Sequence, residues 1–174
     1  MISQAPRSRF DTHEVFNQST PYENIDLFES DRPLKDAVAA NGGVDAAAAL
    51  SEFGRHWGSA DMFALGRQAN ENPPKLHAFD AKGFRSDRIE FHPAYHRLMG
   101  ESVAAGLHGS TWAAAGRHAP PPAEVTRAAR FYIAAQVETG HLCPITMTRA
   151  ALGALVAEPS VAAKVLPKVL TRSY

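Results

Sequence analysis

Residues 123–148 read AEVTRAARFYIAAQVETGHLCPITMT, and the spacing of their apolar side chains decides how the chain is read. Val125, Ala128, Ala129, Tyr132, Ile133, Gln136 and Val137 recur at three and four positions, the period that gathers side chains on one face of an α-helix. A stripe this broad marks a buried face. The spacing predicts one long helix over residues 123–141, which Cys143-Pro144 breaks, because proline has no N–H to donate and its ring clashes with the preceding turn.

The same period continues on both sides. Residues 145–157 and 160–170 read as two further helices joined at Glu158-Pro159-Ser160. Upstream, residues 109–122 form a loop marked by His118-Ala119-Pro120-Pro121-Pro122, preceded by a helix over 93–106 with Pro93 in its first turn. Lys75-Leu76-His77-Ala78-Phe79 and Arg88-Ile89-Glu90-Phe91 alternate apolar and polar residues around Asp80-Ala81-Lys82-Gly83, the pattern of a short β-hairpin. Pro73-Pro74 stops a helix that Ser59 caps and that carries Asp61 in its first turn. A helix over 44–56 precedes it, built on the Ala46 to Ala49 block with Leu50, Phe53 and Trp57 on one face. The first helix starts at Ser30-Asp31, tolerates Pro33 in its first turn and ends at Asn41-Gly42-Gly43. Residues 1–29 show no period although they hold Phe10, Val15, Phe16, Tyr22, Ile25, Leu27 and Phe28. So apolar an arm lies along another surface, in its own domain or in a neighbouring subunit, because disorder goes with few aromatics. The fold class is mainly α with one small β-hairpin, as an arm over 1–29 and one domain over 30–174.

Bulk properties narrow the function classes. The 174 residues are 45% hydrophobic, enough for a sizeable core. Lys+Arg and Asp+Glu both number 18, so no whole-domain excess of cations exists to grip nucleic acid. The single cysteine, Cys143, excludes an internal disulfide and fits a reducing compartment. The first residues carry no apolar signal core, and no apolar run is long enough to span a membrane, so a soluble, cytoplasmic protein is expected.

Few residue groupings carry chemistry. Glu138 and His141 stand at the E-x-x-H spacing of di-iron bundles, but those sites need a second such pair, and the sequence has none. His92 and His96 are four apart yet straddle the helix start at Pro93, so capping and surface roles are expected instead of a metal site. Cys143 with His141 or His108 could make a nucleophile pair, and the expectation is a buried thiol that packs as a small hydrophobe. Lys164, Lys168 and Arg172 read as cations complementing a helix end, and Trp57 and Trp112 as core or interface anchors. No phosphate-cradling or nucleophile-elbow motif occurs. The residues taken alone predict no catalytic, cofactor-binding or metal-ligating set.

Four stretches in this order resemble the AidB-like adaptive-response flavoproteins of the acyl-CoA dehydrogenase superfamily. They are Val15-Phe16-Asn17-Gln18; Leu65-Gly66-Arg67-Gln68-Ala69-Asn70-Glu71-Asn72-Pro73-Pro74; Phe91-His92-Pro93-Ala94-Tyr95-His96-Arg97-Leu98-Met99; and Ala128-Ala129-Arg130-Phe131 through Gln136-Val137-Glu138 to Leu142-Cys143-Pro144-Ile145-Thr146-Met147-Thr148. The resemblance implies the N-terminal helical domain of a tetrameric acyl-CoA dehydrogenase fold, truncated before the β-domain. It implies FAD in the full-length family but none in this chain alone, and as partners the remainder of the flavoprotein and neighbouring subunits of a homotetramer. Contact with DNA, tied to the alkylation response, is implied only through a C-terminal region beyond these residues. It also implies that the long helix forms a wall of the substrate cavity, with Gln136 and Gly140, four apart on one face, as the wall residues. Helix packing is the alternative for both, with close approach of a neighbouring helix the natural reason for Gly140. The competing class is a stand-alone helical interaction module without flavin or catalysis, and a distant third is a metalloenzyme built on Glu138 and His141.

Overall fold

The computed structural model describes residues 9–14, 16–112 and 121–174. Among them are seven α-helices: α1 (Arg32–Ala40), α2 (Ala47–Trp57), α3 (Ala60–Glu71), α4 (Pro93–Ala104), α5 (Pro121–Ala135), α6 (Leu142–Leu155) and α7 (Pro159–Val169). One antiparallel hairpin, β1 (Lys75–Phe79) and β2 (Arg85–Glu90), separates α3 from α4. The mainly α architecture with a single hairpin is the expected one.

Local chemistry places the helix starts. Asp31 caps α1 by accepting from Leu34 N, with Pro33 in the first turn, where its missing N–H costs nothing. Ser59 caps α3 through Met62 N, His92 caps α4 through Ala94 N, and Glu158 caps α7 through Ser160 N. A 3₁₀ turn at Val44–Ala46 leads into α2, so the predicted second helix begins in tighter geometry. In the hairpin the linker is tied by Asp80, whose Oδ1 accepts from Lys82 N and Phe84 N, while Gly83 takes φ +85°. That tie starts β2 at Arg85, three residues before the predicted strand.

The core gathers where the helix stripes meet. Leu50 and Trp57 of α2, Leu98 of α4, Leu107, Ile133 of α5 and Leu142 and Ile145 of α6 are all buried in one cluster. The arm joins it at its end: Leu27 and Phe28 are buried, Ile25 N donates to Gly58 O at 3.2 Å and Leu27 N to Gly54 O at 3.3 Å. Asp26 fastens this segment to α2 by accepting from Ser51 Oγ at 2.5 Å and from Arg55 at 3.2 Å. Farther up the arm, Phe16 and Tyr22 are exposed among the described residues.

Three expectations are corrected. The long helix ends at Ala135, not at residue 141, and α6 begins at Leu142, so Pro144 lies in the first turn of a new helix instead of breaking an old one. Proline is at home in a first turn, whose N–H groups have no intrahelical partner. Cys143 is exposed and not buried, because at the start of α6 the buried positions are Leu142 and Ile145. Pro121 and Pro122 open α5 instead of closing the predicted loop, and residues 113–120 of that loop lie outside the described residues, as does Val15 of the arm.

Candidate functional site

The break between α5 and α6 is an irregular segment held by a dense set of hydrogen bonds. Gln136 N still donates back to Ile133 O, and Val137 N and Glu138 N to Ala134 O, before the chain leaves the helix. Glu138 organises the turn that leads into α6: its Oε1 accepts from Gly140 N at 2.5 Å, and its Oε2 accepts from His141 N at 2.8 Å. A carboxylate facing two successive backbone N–H groups satisfies the donors of the turn just before α6, while Leu142 N and Cys143 N donate to the carbonyls of Thr139 and Gly140.

The imidazole of His141 continues the chain of contacts inward. Its Nδ1 lies 2.7 Å from Glu138 Oε2 and its Nε2 lies 2.9 Å from Ser102 Oγ, on the facing helix α4. The ring is fully buried and stacks on the Trp57 indole, with centroids 5.9 Å apart and planes 12° from parallel. Burial pushes His141 below the usual imidazole range, against the opposing pull of the Glu138 carboxylate. For Glu138, burial acts to raise the pKa, but the hydrogen bonds from His141 and Gly140 outweigh it and hold the carboxyl below its ordinary range.

Serine, imidazole and carboxylate in a line have the connectivity of an acyl-transfer triad. The surroundings exclude that use: Ser102 sits inside α4 with no exposed surface, so no substrate carbonyl reaches Oγ. This string of side chains is a structural tie between α4 and the turn. Both imidazole nitrogens are engaged in it, which leaves neither for the Cys143 pairing or the Glu138–His141 metal reading. His108, the other candidate partner for Cys143, is turned to the C-terminal segment, where its Nε2 lies 3.0 Å from Thr171 O. Burial also lowers the His108 pKa, against hydrogen bonds to the Thr171 and Val169 carbonyls.

The remaining sequence candidates are separated. His92 caps α4, whereas His96 Nδ1 lies 2.8 Å from the Tyr174 hydroxyl, so the two rings do different work. Lys168 sits in the last turn of α7, as a cation complementing a helix end should. Arg172 reaches back toward Ala104 O at the end of α4. Trp57 is a core anchor and Trp112 is half-buried.

Gln136 and Gly140 are both exposed, and neither lies in a helix, so the premise of one shared helix face is replaced by two positions flanking a turn. The reason for glycine at 140 is also different: an added Cβ would stand 2.7 Å from Glu138 Oε1, so the crowding comes from the turn's own carboxylate and not from a neighbouring helix. The close approach falls at Gly66 of α3, where a Cβ would meet Val137 O at 2.6 Å. That contact brings α3 against the turn, and beside it Gly66, Arg67 and Asn70 face Val137, Glu138 and Thr139 across a cleft of about 250 Å³. Sequence reasoning missed Ser102 because its partner is 39 positions away and no spacing rule joins them. Arg67 and Asn70 carry no chemical signal of their own in the sequence; only the family resemblance of residues 65–74 points to them.

Neither the cleft beside the turn nor the groove between α1 and α5 fits a flavin dinucleotide. Such a ligand calls for an enclosing pocket at the upper end of the usual 300–1,000 Å³ and for N–H groups or cations around its pyrophosphate. The cleft at Arg67 is smaller than that range, and a groove of about 320 Å³ between α1 and α5 is lined by Leu34, Val38, Val125 and Ala128, with no cation. No helix among the described residues is long and apolar enough to cross a membrane.

Comparison with known proteins gives this geometry a context. The family described as the adaptive response protein AidB N-terminal domain matches residues 17–174. AidB of Escherichia coli (strain K12) is 46% identical over 140 residues, which cover 80% of this chain and 25% of that protein. Among solved structures, Caenorhabditis elegans ACDH-11 in complex with C11-CoA has a similar fold, with a TM-score of 0.74 at 20% identity over 94% of this chain and 29% of the other. The apo form of Bd2924 gives a TM-score of 0.75 at 25% identity over 91% of this chain and 32% of its own. The chain therefore spans about a quarter to a third of the length of the proteins it matches.

Proposed function

Since the chain belongs to the family of adaptive response protein AidB N-terminal domains, we infer that it is the helical N-terminal part of an FAD-dependent, acyl-CoA dehydrogenase-type flavoprotein that serves the DNA-alkylation response in the cytoplasm. In that protein the chain supplies a wall of the substrate cavity, formed by the α5–α6 turn with Gln136 and Gly140, and contacts to neighbouring subunits of a homotetramer. FAD, when bound by the whole protein, supplies hydride transfer; this chain contributes shape and orientation, and alone it holds no flavin. DNA is met only by a region outside these residues.

The observation that carries the reading is the meeting of two stretches distant in sequence, Gly66 to Asn70 and Ala135 to Thr139, at one solvent-open cleft beside the turn. Packing needs explain buried positions; they do not explain an exposed turn held by a buried hydrogen-bonded string. The exposed apolar side chains of the hairpin, Leu76, Phe79, Phe84 and Ile89, support the subunit-contact half of the reading, since patches of this kind mark interaction sites.

Three measurements test it. The coding DNA is expected to run on in frame past the codon for Tyr174 into a β-domain, and the purified 174-residue chain is expected to show no stoichiometric flavin band in its visible spectrum. A stop codon at that point, or a yellow chain, overturns the reading. The wall role is tested in the longer chain, where Gln136→Trp should weaken acyl-CoA binding while leaving the flavin spectrum in place; unchanged affinity refutes it.

A further inference from the structure

We propose that Ser102, His141 and Glu138 act as a positioning relay through which α4 sets the conformation of the α5–α6 turn, with His141 locked as the Nδ1-protonated tautomer. The proposal rests on the reading of that turn as a cavity wall, and it deepens that reading by naming what holds the wall in place.

The geometry fixes the proton positions. An ionised carboxylate only accepts, so Glu138 Oε2, at 2.7 Å, requires the proton on Nδ1. The Nε2 of the neutral ring is then an acceptor, and the Ser102 hydroxyl, at 2.9 Å, is its donor. Stacking on Trp57 fixes the plane in which the ring presents these two nitrogens. Glu138, so anchored, keeps its oxygens on the N–H groups of Gly140 and His141 and sets the path of the backbone between Gln136 and Leu142. A packing role for these residues asks only for volume. A positioning role asks for one tautomer and one donor, and the fold supplies both where no solvent competes, with Ser102 and His141 fully buried.

The test uses the 174-residue chain without ligand, so its failure is separate from failure of the wall reading. Nitrogen-15 NMR near neutral pH should show His141 protonated at Nδ1 and bare at Nε2, the reverse of the tautomer histidine favours in water. Ser102→Ala should raise amide hydrogen exchange at Gly140 and His141 by about tenfold, the equivalent of one buried hydrogen bond, and leave exchange at Leu166 in α7 unchanged. Glu138→Gln should release the tautomer, because its amide can donate to Nδ1. A ring protonated at Nε2 in the unmodified chain overturns the proposal. So does unchanged exchange at Gly140 and His141 in Ser102→Ala, and so does an equal rise across all helices, which would make Ser102 a packing residue only.

Discussion

Gly58→Ala should detach the end of the N-terminal arm from α2. An added Cβ would stand 2.0 Å from Ile25 O and 2.9 Å from Gly54 O, both backbone atoms, so the arm must retreat by about 1 Å to reach the 3.0 Å that real contacts respect. Retreat breaks the Ile25 N→Gly58 O and Leu27 N→Gly54 O hydrogen bonds, which at 3.2 and 3.3 Å have little slack. Each is worth about 1 kcal/mol net, and partial uncovering of Leu27 and Phe28 adds a fraction of the roughly 1.5–3 kcal/mol that full burial of each contributes. The expected loss is about 2–4 kcal/mol, or roughly 4–16 °C in melting temperature for a chain of this size. Gly153→Ala in α6 is the control: its Cβ meets nothing within 4 Å. It should stabilise by up to about 1 kcal/mol through helix propensity. Urea unfolding of the two variants therefore gives opposite signs. A Gly58→Ala midpoint within about 0.5 kcal/mol of the parent chain, the size of an ordinary surface substitution, would show that the arm's anchorage contributes little to the fold.

Acid should destabilise the chain before its other carboxylates protonate in bulk. His141 and His108 lie below the ordinary imidazole value of 6.5 because of burial, so the unfolded chain binds protons more readily; their contribution is complete above that pH and is lost as pH falls through their folded values. Glu138 adds loss of the same sign below 4.5, and a denaturation midpoint that stays flat or rises between pH 7.5 and pH 5 contradicts this assignment. The hairpin's exposed apolar residues should drive concentration-dependent association, which Leu76→Ser with Ile89→Ser reduces; a monomer across a wide concentration range in the parent chain refutes the interface reading.

Periodicity makes the helices legible because their apolar positions answer to one physical cause, burial of a single face. Asp31 and Ser59 can be assigned as caps from sequence because each acts within three residues of itself. Spacing misreads the α5–α6 junction for the complementary reason. Gln136 and Val137 continue the helical stripe, so spacing alone carries the helix through them, while the groups that end it act from Glu138 onward and from Ser102 on another helix. The same error misplaces Cys143, since its expected burial depends on a helix end that is in fact a helix start.

That failure falls on the candidate site. An α-helix satisfies its own backbone, so leaving it between Ala135 and Leu142 calls for other acceptors for the N–H groups so released. Glu138 supplies two of them, and a carboxylate in a half-buried position needs a cause to stay ionised. The His141 backbone N–H, the buried imidazole and the Gly140 N–H together provide that cause, and Ser102 provides the imidazole's second partner. One continuous helix from α5 through α6 would carry Leu142 and Ile145 away from the cluster they share with Trp57 and Ile133, so the turn seats α6 on the core. It would also remove the exposed turn, with Gln136 and Gly140 at its two ends and Arg67 and Asn70 across the cleft. Polar groups taken out of water cost stability unless they are paired, and here the pairing serves two ends at once, seating α6 on the core and holding an exposed turn in a fixed path.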